Sequence, residues 1–140
     1  MSEADETSNK QRLEALSEFR FRLREFLRFS EDAAREHDVT VLQYQLLLHT
    51  QGFAGRDWAT VSELAHRLQA QVHGVVALIT RCEDLGLVRR RPSQVDRRRV
   101  EVHLTPKGRR MLTRLATQHA SELSQLAEAV QRASLIADDA

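Results

Sequence analysis

The stretch from Asp84 to Gly108, D-L-G-L-V-R-R-R-P-S-Q-V-D-R-R-R-V-E-V-H-L-T-P-K-G, holds the residues best placed to do chemistry. Between Gly86 and Arg110 there are eight arginines and Lys107 against two acids, Asp96 and Glu101, a local net charge of +7. Segments 1–36, 37–85 and 111–140 each sum to −2, and the whole chain carries only +1. Clustered Arg and Lys displace counterions condensed on phosphates, so this block points to a polyanion partner. A solvated charged loop is the lesser alternative on charge alone. The elements that present the block decide between the two.

Those elements are legible from spacing. Gly86 falls where a helix C′ glycine belongs. Residues 87–91 and 99–104 read as strands; in the second, Val100, Val102 and Leu104 alternate with Arg99, Glu101 and His103, the period of a half-buried strand. Pro92 ends the first strand, and 92–98 is the connecting loop, so the arginines sit at a hairpin tip. Thr105-Pro106 supplies an N-cap followed by proline at N1, opening a last helix over 106–136.

Upstream, Thr60-Val61-Ser62-Glu63 has the spacing of a capping box and opens a short helix over 61–68. After a break at Gln69–Ala70, a helix over 72–85 carries Val75, Leu78, Ile79, Cys82 and Leu85 on one face. Two short helices joined by a tight turn match a helix-turn-helix. Thr40-Val41-Leu42-Gln43 is a second capping box, before a helix over 40–51 that is apolar nearly all round. Residues 52–57 form a loop, and Trp58 behind it is expected in the core or a pocket wall.

The chain opens with 1–9 as a polar, frayed tail. Leu13, Leu16, Phe19, Leu23, Phe26 and Leu27 then recur at three- and four-residue steps, predicting an amphipathic helix over 10–36. The last helix repeats the theme with Leu112, Leu115, Leu123, Leu126 and Val130. Both stripes exceed what a monomer of this size readily covers, which points to a dimer packed through these helices; the alternative is that the two helices cover each other within one chain. The organisation is therefore a tail over 1–9, a dimerisation helix over 10–36, a DNA-binding lobe over 37–105 and a second dimerisation helix over 106–136.

A helix-turn-helix followed by a β-hairpin is a winged helix. Arginine at a wing tip suits a narrow A·T-rich minor groove, where negative potential is enhanced. Asp96, two residues before Arg98, is spaced to hold that guanidinium; a turn-forming role for Asp96 fits as well. The combination L-G-L-V-R-R, D-R-R and V-H-L-T-P-K-G, with V-S-E-L-A-H-R-L and T-V-L-Q-Y-Q-L-L upstream, resembles the MarR family of multiple-antibiotic-resistance-type regulators over residues 13–130. The resemblance implies a mainly α winged helix-turn-helix with a small β-hairpin wing and a dimerisation region of long N- and C-terminal helices. It implies a homodimeric transcription factor, usually a repressor, on a pseudo-palindromic double-stranded operator. Release by a small molecule, metal or oxidant is common in such a family.

By position, the resemblance assigns Arg98 to the minor groove and Asp96 to bracing it, with Arg97 and Arg99 on neighbouring phosphates. Gln71, His73, Gly74, Val76 and Ala77 match the face that reads bases, and Arg81 lies a turn further on, within reach of phosphate. The chain departs from the family here, where Ser, Thr and Arg are common. Val76 and Ala77 cannot hydrogen-bond a base edge, though they can contact a thymine methyl. Gly74 inside a helix costs about 1 kcal/mol relative to Ala.

Other chemistries have little footing in the sequence. There is no Gly-rich phosphate loop, no G-x-S-x-G elbow and no cluster of catalytic carboxylates, so an enzyme is not expected. Cys82, the one cysteine, excludes an intramolecular disulfide and reads as a small core residue on an apolar helix face. The six histidines show no metal-binding spacing, so no cofactor is expected beyond an effector of unknown identity. The opening residues have no apolar leader and no run approaches the roughly 18 residues of a membrane helix, which suits a cytoplasmic protein without a membrane partner. Two alternatives stay open: a winged-helix dimer that acts as a protein-interaction module, and a metal- or redox-responsive sensor.

Overall fold

In the computed structural model, residues 2–138 are described. The element order is α1 (Glu3–Glu36), α2 (Val41–Gln51), β1 (Trp58–Thr60), α3 (Val61–Leu68), α4 (Val72–Asp84), β2 (Val88–Pro92), β3 (Val100–Leu104), α5 (Pro106–Gln118) and α6 (Ala120–Asp138). The chain divides into two compact units. One runs from Ala34 to Thr117; the other joins the chain up to Ala33 with the chain from Gln118 onward.

The first unit is built on its helix starts. Thr40 accepts the Gln43 amide at 3.1 Å while the Gln43 side chain accepts the Thr40 amide at 2.9 Å. Thr60 and Glu63 repeat the arrangement at the start of α3. Each box satisfies backbone donors that the first helical turn leaves orphaned. Gln69 closes α3 in the left-handed region at φ 52°, and α4 follows two residues later. Leu46, Leu47, Leu64, Val75, Ile79, Cys82, Leu87, Val88, Val102 and Leu115 are almost wholly buried and form this unit's core.

The sheet has the order β1-β3-β2, with both pairings antiparallel. The β2–β3 hairpin is in register from Val88 opposite Leu104 to Pro92 opposite Val100, so its loop and arginines project from one end. Gly86 takes φ +75°, the left-handed C′ conformation expected of it. Gly108 answers a different need. A Cβ there would stand 2.1 Å from the Leu87 carbonyl oxygen, so α5 approaches the backbone just ahead of β2 at a distance only glycine permits.

Three sequence expectations are corrected. Residues 3–9 continue α1 as helix rather than forming a frayed tail. Ser2 caps them: its hydroxyl accepts the Asp5 amide at 3.2 Å, and Asp5 Oδ2 accepts the Ser2 hydroxyl and amide at 2.8 and 3.3 Å. The Ser2 hydroxyl and then its amide hold the Asp5 carboxyl below the usual carboxylate range. Glu3, Asp5 and Glu6 in the first turn also suit the positive end of the helix dipole.

The helix expected over 106–136 is two helices, interrupted at His119. His119 is buried, its Nε2 lies 2.6 Å from Ser30 Oγ, and its ring meets Phe26 and Phe29 edge-on at 5.7 and 5.2 Å. These contacts fix its ring in place at the break. Finally, 58–60 is a strand, β1, where the sequence signalled none. Three residues are too short to show a period, and β1 exists through its pairing with 101–103.

Candidate nucleic-acid interface

Helix α4 buries Val75, Leu78, Ile79 and Cys82 and leaves Val72, His73, Gly74, Val76, Ala77, Thr80 and Arg81 exposed. Gln71 is the N-cap residue and makes no side-chain cap. The six residues assigned to base or phosphate contact on this helix therefore share its solvent side or its N-terminal edge. This follows from helical spacing: Val75, Leu78, Ile79 and Cys82 recur at three- and four-residue steps and claim the core face.

At the wing, the loop is a fixed turn. The buried Ser93 hydroxyl accepts the Val95 and Asp96 amides at 3.3 and 3.2 Å, the Ser93 amide donates to Arg99 O at 3.0 Å, and the Arg99 amide donates to Asp96 O at 2.9 Å. Asp96 Oδ1 accepts the Arg98 amide at 3.0 Å and Arg98 Nε at 3.4 Å, and its Oδ2 lies 3.8 Å from Arg99 Nε. Asp96 thus serves both as turn former and as brace. The Arg98 side chain is nevertheless 92% exposed, held at its base and open at its tip. Arg89, Arg91, Arg97 and Arg99 are exposed alongside it.

Arg90 behaves differently from its neighbours. On β2, Arg89 and Arg91 turn outward while Arg90 lies on the opposite face, toward α4. Its Nη1 donates to Glu83 Oε1 at 3.0 Å and its backbone amide to Glu83 Oε2 at 3.0 Å. Its Nη2 donates to Val76 O at 3.1 Å and to Thr80 Oγ1 at 2.7 Å. One side chain thereby ties the wing's first strand to α4 along two turns. The sequence reading counted Arg90 among the polyanion-facing charges. The signal that sets it apart is the alternation of β2, which puts Arg90 on the side of buried Val88. Lys107 Nζ and Arg109 Nη1 are likewise engaged, with Leu85 O at 2.9 Å and Leu104 O at 3.0 Å. The +7 block is therefore partly structural.

On β1, Trp58 is half-buried and stacks on His103 at 6.0 Å, while the Arg56 guanidinium lies 3.9 Å from the Trp58 ring centre and 4.2 Å from that of Phe53. Arg56 also pairs with Glu63. Burial opposes ionisation of Glu63, but the Thr60 amide and hydroxyl and then Arg56 outweigh it and hold the carboxyl below its usual range. Cys82 is fully buried, and burial pushes its thiol up to about 11. That is the reverse of the lowered pKa a reactive thiolate sensor needs. Among the described residues no group of three or more His, Cys, Asp or Glu is placed to hold a metal ion, and no helix is long and apolar enough to cross a membrane.

Comparison with known proteins follows these lines. Residues 37–99 match the family model described as MarR family. A search of curated protein sequences finds no match. Among solved structures, AbsC, a MarR family transcriptional regulator from Streptomyces coelicolor, is 21% identical with a TM-score of 0.66, over 90% of this chain and 80% of that one. A mutant MarR from E. coli complexed with operator DNA is 21% identical with a TM-score of 0.69, over 86% of this chain and 88% of that one. A MepR mutant from S. aureus bound to an oligodeoxyribonucleotide is 22% identical with a TM-score of 0.65, over 79% of both chains. At these identities the structures establish a common fold, mostly helical with a small three-stranded sheet, and the family likeness rests on the matched segment, which contains α4, β2 and the wing loop. Over residues 37–99 the chain is similar to the MarR family.

Proposed function

We propose that this protein is a transcriptional regulator that binds double-stranded DNA as a homodimer, α4 entering the major groove and the wing reaching the adjacent minor groove. The observation that carries this reading is the braced, outward Arg98 at the tip of a preformed wing turn, beside an α4 face left open to solvent.

Two copies are part of the proposal. In the unit built from α1 and α6, Leu13, Leu16, Phe21, Leu27, Leu123 and Leu135 are all about half exposed. Solvated monomers rarely keep such apolar stripes, and a two-fold partner covers them. Two-fold symmetry in turn implies an operator with inverted half-sites. We read the regulator as a repressor relieved by a small-molecule effector, on the strength of the family resemblance.

The test is selection of bound fragments from random duplex DNA, followed by titration of the enriched duplex at several salt concentrations. The wild-type chain is expected to enrich an inverted repeat. Arg98→Ala is expected to weaken binding at least about ten-fold, the lower part of the range for losing one specific contact, and to flatten the salt dependence if the guanidinium lies near phosphates. Retention of full affinity by Arg98→Ala overturns the wing's role. Enrichment of no motif overturns sequence-specific binding and favours the protein-interaction reading, which the apolar α4 face motivates.

A further inference from the structure

The middle of the exposed α4 face has almost no hydrogen-bonding group to offer. Val72 and Val76 are 52% and 41% exposed, one turn apart. Ala77 lies beside Val76, and a Cβ built on Gly74 would meet nothing within 4 Å. Thr80, the hydroxyl on this face, is already committed: it donates to Val76 O at 3.0 Å and accepts from Arg90 Nη2 at 2.7 Å. A hydroxyl has a single proton to donate, so Thr80 has no donor left for a base. Arg90 also takes the Val76 carbonyl and neutralises Glu83, the acid that α4 turns toward the wing. What remains is a shallow apolar strip between Gln71 and His73 at one end and Arg81 at the other, flanked by the exposed arginines of the wing.

An apolar strip framed by positive charge matches one feature of duplex DNA. The one alkyl group on the major-groove edge of the four base pairs is the C5 methyl of thymine. We propose that α4 reads thymine methyl groups and that Val76 is the specificity-determining residue, packing its two methyls against them while Ala77 and Gly74 let the helix seat deeply. The inference rests on the proposed DNA-binding function and deepens it. The polar residues at the strip's ends, Gln71, His73 and Arg81, then set position rather than sequence at the centre of each half-site.

Deoxyuridine differs from thymidine only by that methyl. In the duplex enriched by the full chain, each dT of a half-site is replaced in turn by deoxyuridine and affinity is measured at fixed salt. At one or more positions wild type is expected to lose about four-fold per methyl, the equivalent of one buried carbon group. Val76→Ala, checked for an unchanged thermal melt, is expected to bind the thymidine and deoxyuridine duplexes with a ratio near one at those positions. If every deoxyuridine duplex binds wild type as tightly as its parent, thymine-methyl reading is overturned while the enriched motif leaves DNA binding intact. If Val76→Ala keeps the wild-type ratio, Val76 is not the reader. If no motif is enriched, the DNA-binding reading itself fails and this inference falls with it.

Discussion

At the scale of single residues, the same amino acid does opposite jobs a few positions apart. Arg98 is braced by Asp96 and points outward, whereas Arg90 is turned inward and spends its donors on α4. Gly86 is glycine for its backbone angle, Gly108 for lack of room. Because the obstacle at Gly108 is the Leu87 carbonyl, a backbone group that cannot swing aside, Gly108→Ala is expected to destabilise the fold by about 1–3 kcal/mol, read as a lower urea midpoint with unchanged slope. Cys82 yields a second residue-scale expectation. Its folded thiol titrates near 11 against an ordinary 9.0, so the protein holds the proton and the native thiol stays neutral at physiological pH. The raised folded value means that Cys82 favours the fold below pH 9, and that this contribution fades as pH rises from there through 11. An alkylating reagent at pH 8 is accordingly expected to label native protein no faster than it unfolds; rapid labelling of folded protein contradicts the burial described.

At the scale of elements, the wing and α4 form one mechanical part because Arg90 joins them. Removing that joint is expected to weaken DNA binding without touching DNA. Arg90→Met should lower affinity about ten-fold while leaving the slope of log affinity against log salt unchanged, whereas loss of a true phosphate contact, as expected for Arg97→Ala, reduces that slope by roughly 0.9 per phosphate. A slope that falls equally in both variants places Arg90 on the DNA instead. The elements themselves were largely written in local chemistry. Two capping boxes, the Gly86 stop and the alternation along β3 each depend on residues within a few positions, and each is found in the structure, though of the alternating apolar residues Val102 and Leu104 are buried and Val100 is exposed. What local chemistry could not carry is pairing across distance. β1 is defined by its partners on β3, the His119 break accompanies contacts with Ser30, Phe26 and Phe29, and Arg90's role depends on where α4 lies. The Asp96–Arg98 pair was legible because two residues of sequence separation suffice to form it.

At the scale of the whole molecule, the exposed stripes of α1 and α6 are the feature still without a partner among the described residues. Leu16→Glu combined with Leu123→Glu is expected to convert a concentration-independent dimer to monomer, as judged by light scattering, and to lower operator affinity by far more than either half-site accounts for. An unchanged dimer mass in that variant removes these stripes from the interface. Loss of the dimer without loss of affinity separates assembly from recognition and contradicts a two-fold operator.

The wing turn described above has a further, entropic meaning. A flexible arm that ordered only on DNA would pay for each immobilised side chain and loop residue, about 0.5–1.5 kcal/mol for each rotamer-rich side chain. Here Ser93 already satisfies the Val95 and Asp96 amides, and Asp96 already restrains the backbone of Arg98, before any partner arrives. Much of the conformational freedom that binding must remove has been given up during folding. What remains lies in the exposed arginine side chains, so on the proposed DNA-binding reading an encounter asks guanidinium groups to settle rather than a loop to fold.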